Sequence, residues 1–123
     1  MLENCVDWPV EFADKYRRKG YWQDINLYQH FCQLVERFGD QEAIVFQEQR
    51  LTFNQLLSQI DSAAAALSEC GLKAGERVVF QLPNCPEFIV TFYALLKIGV
   101  IPVMALPPHR ETEITHFVNH AGA

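Results

Sequence analysis

The side chains with the widest chemical reach gather near the end of the chain. His109, Glu113, His116 and His120 follow one another at spacings of four, three and four, which would line them along one helical face. His116 and His120 share the i, i+4 separation of zinc helices, but Phe117 stands where zincins carry their general-base glutamate. His109 also directly follows Pro107 and Pro108, ahead of the expected helix start. The line therefore reads as a solvated helix face with one or two capping imidazoles. Carboxylates pair at Glu111 and Glu113, and at Asp40 and Glu42. Neither pair has the apolar surround that raises a carboxyl for acid catalysis, so both are expected to face solvent. No serine or cysteine has a histidine and an acid in a recognisable order. A phosphate loop would crowd glycines before a helix so that backbone N–H groups meet the anion. Here the six glycines are scattered, and no G-x-G-x-x-G, G-x-x-x-x-G-K or G-x-S-x-G pattern occurs.

The 123 residues that must position any such groups are half hydrophobic, with 15 acidic against 10 basic side chains and a net charge of −5. That apolar fraction excludes a disordered tail, and the length admits one domain at most. An acidic balance argues against nucleic acid, whose binders need surplus Lys and Arg. The basic cluster Lys15, Arg17, Arg18 and Lys19 lies among Glu11, Asp14 and Asp24 and reads as a solvated surface turn. Cys5, Cys32, Cys70 and Cys85 form no C-x-x-C pair, and are expected to be buried free thiols of a reducing compartment. Glu3 and Asp7 stand where an export signal would need basic residues, so a cytoplasmic chain is expected. From Phe88 to Pro108 the one charge is Lys97. A membrane span would have to hold that lysine together with Gly99, Pro102, Pro107 and Pro108 in one helix, so a helix ending at Gly99 and a buried strand fit better, with no membrane insertion.

Along the chain, residues 1–24 form an aromatic-rich leader without clean periodicity, its rings (Trp8, Phe12, Tyr16, Tyr21 and Trp22) suited to anchor it across a larger body. Residues 25–123 read as an incomplete α/β subdomain. Asn26 with Gln29 opens a helix whose inner face is Leu27, Phe31, Leu34, Val35 and Phe38, stopped by Gly39. A hairpin is predicted from Glu42–Phe46 and Arg50–Phe53 about Gln47-Glu48-Gln49. Thr52 with Gln55 opens a second helix, its inner face Phe53, Leu56, Leu57, Ile60, Ala64 and Leu67, with Ala63–Ala66 permitting close approach to a neighbour. Strand Arg77–Leu82, helix Phe88–Ile98 capped by Asn84, and strand Val100–Leu106 make a βαβ unit of parallel sheet. The last strand lacks polar alternation, so both its faces should be covered, with Pro102 at a start, bulge or edge. Glu111–His120 is a final helix. Gly71 and Gly99 are expected C-caps, and Phe53, Leu56, Ile60, Leu67, Val79, Phe92 and Leu96 the core. Such a sheet needs more strands than these, which points to the N-terminal piece of a larger α/β protein.

Several words in order resemble the start of the aryl-acid-activating adenylate-forming ligases of siderophore assembly, of the 2,3-dihydroxybenzoate-AMP ligase type. They are Trp8-Pro9, Glu11-Phe12-Ala13, Tyr16-Arg17 and Gly20-Tyr21-Trp22-Gln23-Asp24 in the leader, then Leu51-Thr52-Phe53 with Leu56. Gly71-Leu72-Lys73, Gly75-Glu76-Arg77-Val78, Gln81-Leu82-Pro83-Asn84 and Glu87-Phe88 follow. Phe92, Ala94-Leu95-Leu96-Lys97, Gly99 and Pro102-Val103 resemble a second core motif of that superfamily, and Ala105-Leu106-Pro107, His109-Arg110 and Glu113-Ile114 a stretch typical of the aryl-acid group. Pro108 stands where a small residue is more usual in that stretch.

The resemblance implies the N-terminal part of the large domain of a two-step ligase that uses ATP and Mg²⁺. It would convert 2,3-dihydroxybenzoate or salicylate to an aryl-adenylate and pass the aryl group to the phosphopantetheine thiol of an aryl carrier protein. It also implies that catalytic, cofactor-binding and metal residues lie in the missing remainder of the protein, leaving a piece inactive alone. Lys15, Lys19, Lys73 and Lys97 match no catalytic lysine motif. His109 and Arg110 belong to a group-typical word of unknown role, with helix capping and a structural ion pair as their expected work. Competing readings are another adenylate-forming ligase, of acyl-CoA synthetase or amino-acid adenylation type, or a non-enzymatic α/β interaction domain.

Overall fold

The computed structural model describes residues 6–123. Two capping boxes start the helices that build the core. Asn26 Oδ1 accepts from the Gln29 N–H at 2.7 Å while Gln29 Oε1 accepts from the Asn26 N–H at 2.8 Å, opening α2 (Leu27–Phe38). The same exchange between Thr52 and Gln55, at 3.2 and 2.9 Å, opens α3 (Phe53–Glu69). These satisfy N–H groups that a helix start otherwise leaves without partners.

Between them, β1 (Glu42–Phe46) and β2 (Gln49–Thr52) form the antiparallel hairpin, with Phe46 opposite Gln49 and a register shift between Glu42 and Ile44. The turn is thus Gln47-Glu48, one residue shorter than expected, and Gln47 takes the left-handed conformation at φ 53°. Downstream, β3 (Arg77–Gln81), α4 (Pro86–Lys97) and β4 (Ile101–Ala105) form the βαβ unit, with β3 and β4 parallel from Arg77 opposite Ile101 to Gln81 opposite Ala105. α5 (Glu111–Ala121) follows and packs on this pair. Pro102 is the second residue of β4, opposite Val78. In a two-stranded sheet its missing N–H can face outward.

The core lies where α2, α3 and α4 meet. Leu56, Ile60 and Ala64 recur every fourth residue along α3 and are buried against Phe31 and Val35 of α2 and Ala94 of α4. Removing a side chain such as Ile60 from water contributes about 1.5–3 kcal/mol. Phe31 stacks on Tyr93 with ring centroids 4.5 Å apart, and Phe80 of β3 meets Phe88 of α4 at 5.1 Å. Of the expected core, Leu56 and Ile60 are buried, whereas Phe53, Leu67, Val79, Phe92 and Leu96 are half-buried. Leu95 and Val100 complete the deepest positions.

Several expectations need correction. The leader contains a helix, α1 (Val10–Arg18). Its rings hold one another: Trp8 lies edge-on to Tyr16 and Trp22 at 6.1 and 5.6 Å, and Tyr16 meets Trp22 at 5.5 Å. Trp8 and Tyr21 are exposed in this chain. Leu27 of the expected inner face of α2 is also exposed. Cys85, not Asn84, is the N-cap of α4, with Pro86 at the first helical position where its missing N–H costs nothing. The thiols are not buried: Cys70 is exposed, Cys32 and Cys85 are half-buried, and Cys5 lies outside the described residues. The faces of β4 are not all covered, since Met104 is 53% exposed.

Gly71 and Gly99 each stand one residue beyond the caps Cys70 and Ile98. At Gly99 the backbone has φ 76°, which favours glycine, and a Cβ would also press on the Ala74 side chain at 3.0 Å. The apolar stretch from Phe88 to Pro108 is divided by this turn into helix and strand. Among the described residues no helix is long and apolar enough to cross a membrane.

Candidate functional site

In parallel α/β sheets, ligands approach the carboxyl ends of the strands. Here that edge is formed by Gln81, the last residue of β3, and by the loop Leu106–Arg110 that leaves β4. The Gln81 amide nitrogen donates to the carbonyl oxygens of Leu106, His109 and Pro107 at 2.7, 3.0 and 3.2 Å. His109 closes the loop from within: its Nδ1 accepts the Leu106 N–H at 3.0 Å, and its own N–H donates to the Leu106 carbonyl at 3.0 Å. An accepting Nδ1 leaves the imidazole proton on Nε2. The ring also lies edge-on to Phe117 at 5.1 Å. The Arg110 guanidinium donates to the Pro107 and His109 carbonyls at 3.1 and 3.3 Å.

Glu113 accepts the Arg110 backbone N–H at 3.0 Å, half of a capping box at the start of α5. An arginine side chain has no acceptor to supply the other half. The bond from the Arg110 N–H, followed by that from its own backbone N–H, holds the Glu113 carboxyl below the usual carboxylate range. Glu87, in the first turn of α4, is lowered in the same way by its own backbone N–H and then by the Cys85 side chain. Thus the helix starts at this edge already carry carboxylates: Glu87 on α4, Glu111 and Glu113 on α5. A phosphate there would meet like charge where it would need bare N–H groups. These two helix starts do not fit a triphosphate.

The line His109, Glu113, His116, His120 divides between two tasks. His109 and Glu113 bond to backbone, while the rings of His116 and His120 stack with centroids 5.5 Å apart and planes 14° apart. Among the described residues no group of three or more His, Cys, Asp or Glu is placed to hold a metal ion. Asp40 and Glu42 are likewise separated in role: Asp40 accepts from the Asn54 amide at 3.1 Å, and Glu42 pairs with Arg50 at 3.2 Å. In the basic cluster, Arg17 pairs with Asp24 at 3.2 Å and its guanidinium lies 5.6 Å from the Trp22 ring, while Lys19 lies 5.9 Å from that of Tyr21.

Two arrangements escaped the sequence. Gln81 stands inside a recognised word, but its partners are 25 to 28 residues away, beyond the reach of local spacing. Lys97, read as a helix-end cation, also donates to Asp61 of α3 at 2.7 Å and lies 5.8 Å from the Tyr28 ring of α2, tying three helices together. The bond to Asp61 raises the lysine above its usual value, and burial raises Tyr28.

The arrangement at the strand ends is therefore a braced loop, self-satisfied in its hydrogen bonds, and it presents no nucleophile with a base.

Comparison with known proteins agrees with this fold. Triostin synthetase I of Streptomyces triostinicus is 42% identical over all of this chain, which covers 23% of that protein. The vibriobactin-specific 2,3-dihydroxybenzoate-AMP ligase of Vibrio cholerae is 40% identical, again over all of this chain and 23% of the relative. The apo structure of Mycobacterium smegmatis MbtA superposes with a TM-score of 0.90 at 38% identity, across 96% of this chain and 22% of that one. The chain thus spans less than a quarter of the length of these relatives. The family described as AMP-binding enzyme matches residues 31–123, and the chain belongs to that family.

Proposed function

We propose that this chain is the N-terminal part of an AMP-forming ligase that activates an aromatic acid, 2,3-dihydroxybenzoate or salicylate, for siderophore assembly. The observation that carries the reading is the 40% identity, over the whole chain, to a 2,3-dihydroxybenzoate-AMP ligase. In the proposed reaction a carboxylate oxygen attacks the α-phosphorus of ATP, the bond to the β-phosphate bridging oxygen breaks, and pyrophosphate leaves. A phosphopantetheine thiol of a carrier protein then attacks the aryl carbonyl, giving a thioester and AMP. In such chemistry Mg²⁺ neutralises phosphate charge, and no step is assigned to it on this chain. The part played by the described residues is structural. They form the helical core and the braced loop at the strand ends, and His109 and Arg110 shape that loop. Catalytic residues are assigned to parts of the enzyme beyond this chain, which alone is inactive. We place the reaction in the cytoplasm, where ATP is available.

ATP–pyrophosphate exchange tests the reading. A longer protein containing this chain should exchange label with 2,3-dihydroxybenzoate or salicylate and not with fatty or amino acids, and the 123-residue chain should give none. Exchange driven by another acid class would overturn the substrate assignment, and exchange by the chain alone would overturn the assignment of catalysis elsewhere.

A further inference from the structure

We propose that the leader is one side of an intramolecular interface, with α1 and its ring cluster docked on the part of the same polypeptide that follows residue 123. Six of the nine large apolar side chains exposed among the described residues lie in the leader or at its junction with α2: Val6, Trp8, Val10, Phe12, Tyr21 and Leu27. Trp8 is 61% exposed, Val10 72% and Tyr21 68%, and a groove of about 540 Å³ runs from Tyr21 and Trp22 to Leu27 and His30. Scattered single exposures are ordinary, whereas a run of them within one short segment marks a contact surface. A helix of nine residues is also too short to stand by itself in water. α1 buries only Ala13, and among the described residues no other helix or strand packs extensively against it. Its support on this chain is the cluster of Trp8, Tyr16 and Trp22.

Length and charge select the occupant. MbtA superposes across 96% of this chain, which takes in most of the leader, yet this chain matches only 22% of that one. The leader therefore takes the same course in a much longer polypeptide. Acidic and basic side chains mix along α1, where Glu11 and Asp14 stand with Lys15, Arg17 and Arg18, and Arg17 is paired with Asp24 at 3.2 Å. Such a face suits a protein surface and not an anionic membrane or a nucleic acid, which call for one sign of charge. A covalently linked occupant meets the leader at high effective concentration, so modest apolar contact suffices. The inference rests on the reading of this chain as part of a longer enzyme.

Hydroxyl-radical footprinting read by mass spectrometry tests this by comparing the 123-residue chain with a longer protein that contains it. Oxidation of Trp8 and Tyr21 should fall several-fold in the longer protein, independently of protein concentration. Val10→Asp and Leu27→Asp each place an acid at an exposed first helical position, where the helix dipole favours it. Each should leave the urea midpoint of the 123-residue chain unchanged or slightly raised, and lower the melting temperature of the longer protein. Equal oxidation in the two proteins, protection that grows with concentration and so marks a second copy, or variants whose effect is the same in both proteins would each overturn the proposal. Footprinting reads contact and not activity. Absent protection beside intact aryl-acid exchange strikes this inference alone, and protection without exchange supports it while striking the substrate reading.

Discussion

Replacing Gln81 probes the loop brace most directly, because one side chain holds three carbonyls. Its amide has two hydrogens for acceptors at 2.7, 3.0 and 3.2 Å, so it makes two full bonds and shares the third contact. At a net value of about 0.5–1.5 kcal/mol per bond, Gln81→Leu should cost about 1–3 kcal/mol. Gln81 is exposed, and the released carbonyls regain water, which places the loss in the lower half of that range. Gln81→Glu should cost more than Gln81→Leu. An ionised carboxylate only accepts, and would set its charge against three carbonyl oxygens. That order is opposite to the one expected at an ordinary exposed position, where glutamate is the easier replacement. Urea unfolding of the 123-residue chain, followed by circular dichroism, gives both free energies from the shift in midpoint at constant slope. Amide exchange at Leu106 and His109 should accelerate in both variants. If both lie within about 0.5 kcal/mol of the parent, as unconstrained surface changes do, the brace does not carry the loop.

Ala64→Leu should destabilise the chain by about 1–3 kcal/mol through overpacking at the α3–α4 contact, whereas Ala65→Leu, on the exposed side of the same turn, should stay within about 0.5 kcal/mol; equal costs on urea unfolding would refute close helix approach. Asp61→Asn should remove a pair worth at most about 1 kcal/mol, since both side chains are partly exposed. Because Lys97 is raised in the folded chain, the contribution is complete below its usual value of 10.5 and is lost as pH rises through the higher folded value; Asp61→Asn should flatten this alkaline slope of stability. Glu113 is lowered, so its contribution is present above the usual 4.5 and lost as pH falls through the lower folded value. Glu113→Gln should remove that acid-side slope in a stability-against-pH series.

The elements were legible where local chemistry decides them. The capping boxes at Asn26 and Thr52, the period of Leu56, Ile60 and Ala64, and the β3–α4–β4 crossover each follow from residues within a few turns of one another. Boundaries slipped where a single residue shifts the balance: Pro86 made Cys85 the cap, and Gln47 turned left-handed so that the hairpin closed one residue sooner. The aromatic leader hid its helix because α1 shows its apolar residues to solvent as well as to neighbouring rings. For the strand-end loop, helix capping and an ion pair are the work expected of His109 and Arg110 in the group-typical word. The Arg110 N–H takes part in the start of α5 through Glu113, whereas the His109 ring bonds to Leu106 inside the loop and caps no helix, and the guanidinium bonds to carbonyls rather than forming the expected ion pair. The bond partners of Gln81 and the Lys97–Asp61 pair required the tertiary fold.

The aromatic cluster of the leader also determines what an optical signal would mean. The chain has two tryptophans, Trp8 and Trp22, 5.6 Å apart and edge-to-face, so its tryptophan emission comes wholly from that cluster, while its circular dichroism is dominated by α2, α3, α4 and α5. Coincident melting by the two signals would mark leader and body as one cooperative unit. An earlier fluorescence midpoint would measure the stability of the leader on its own, with no label added.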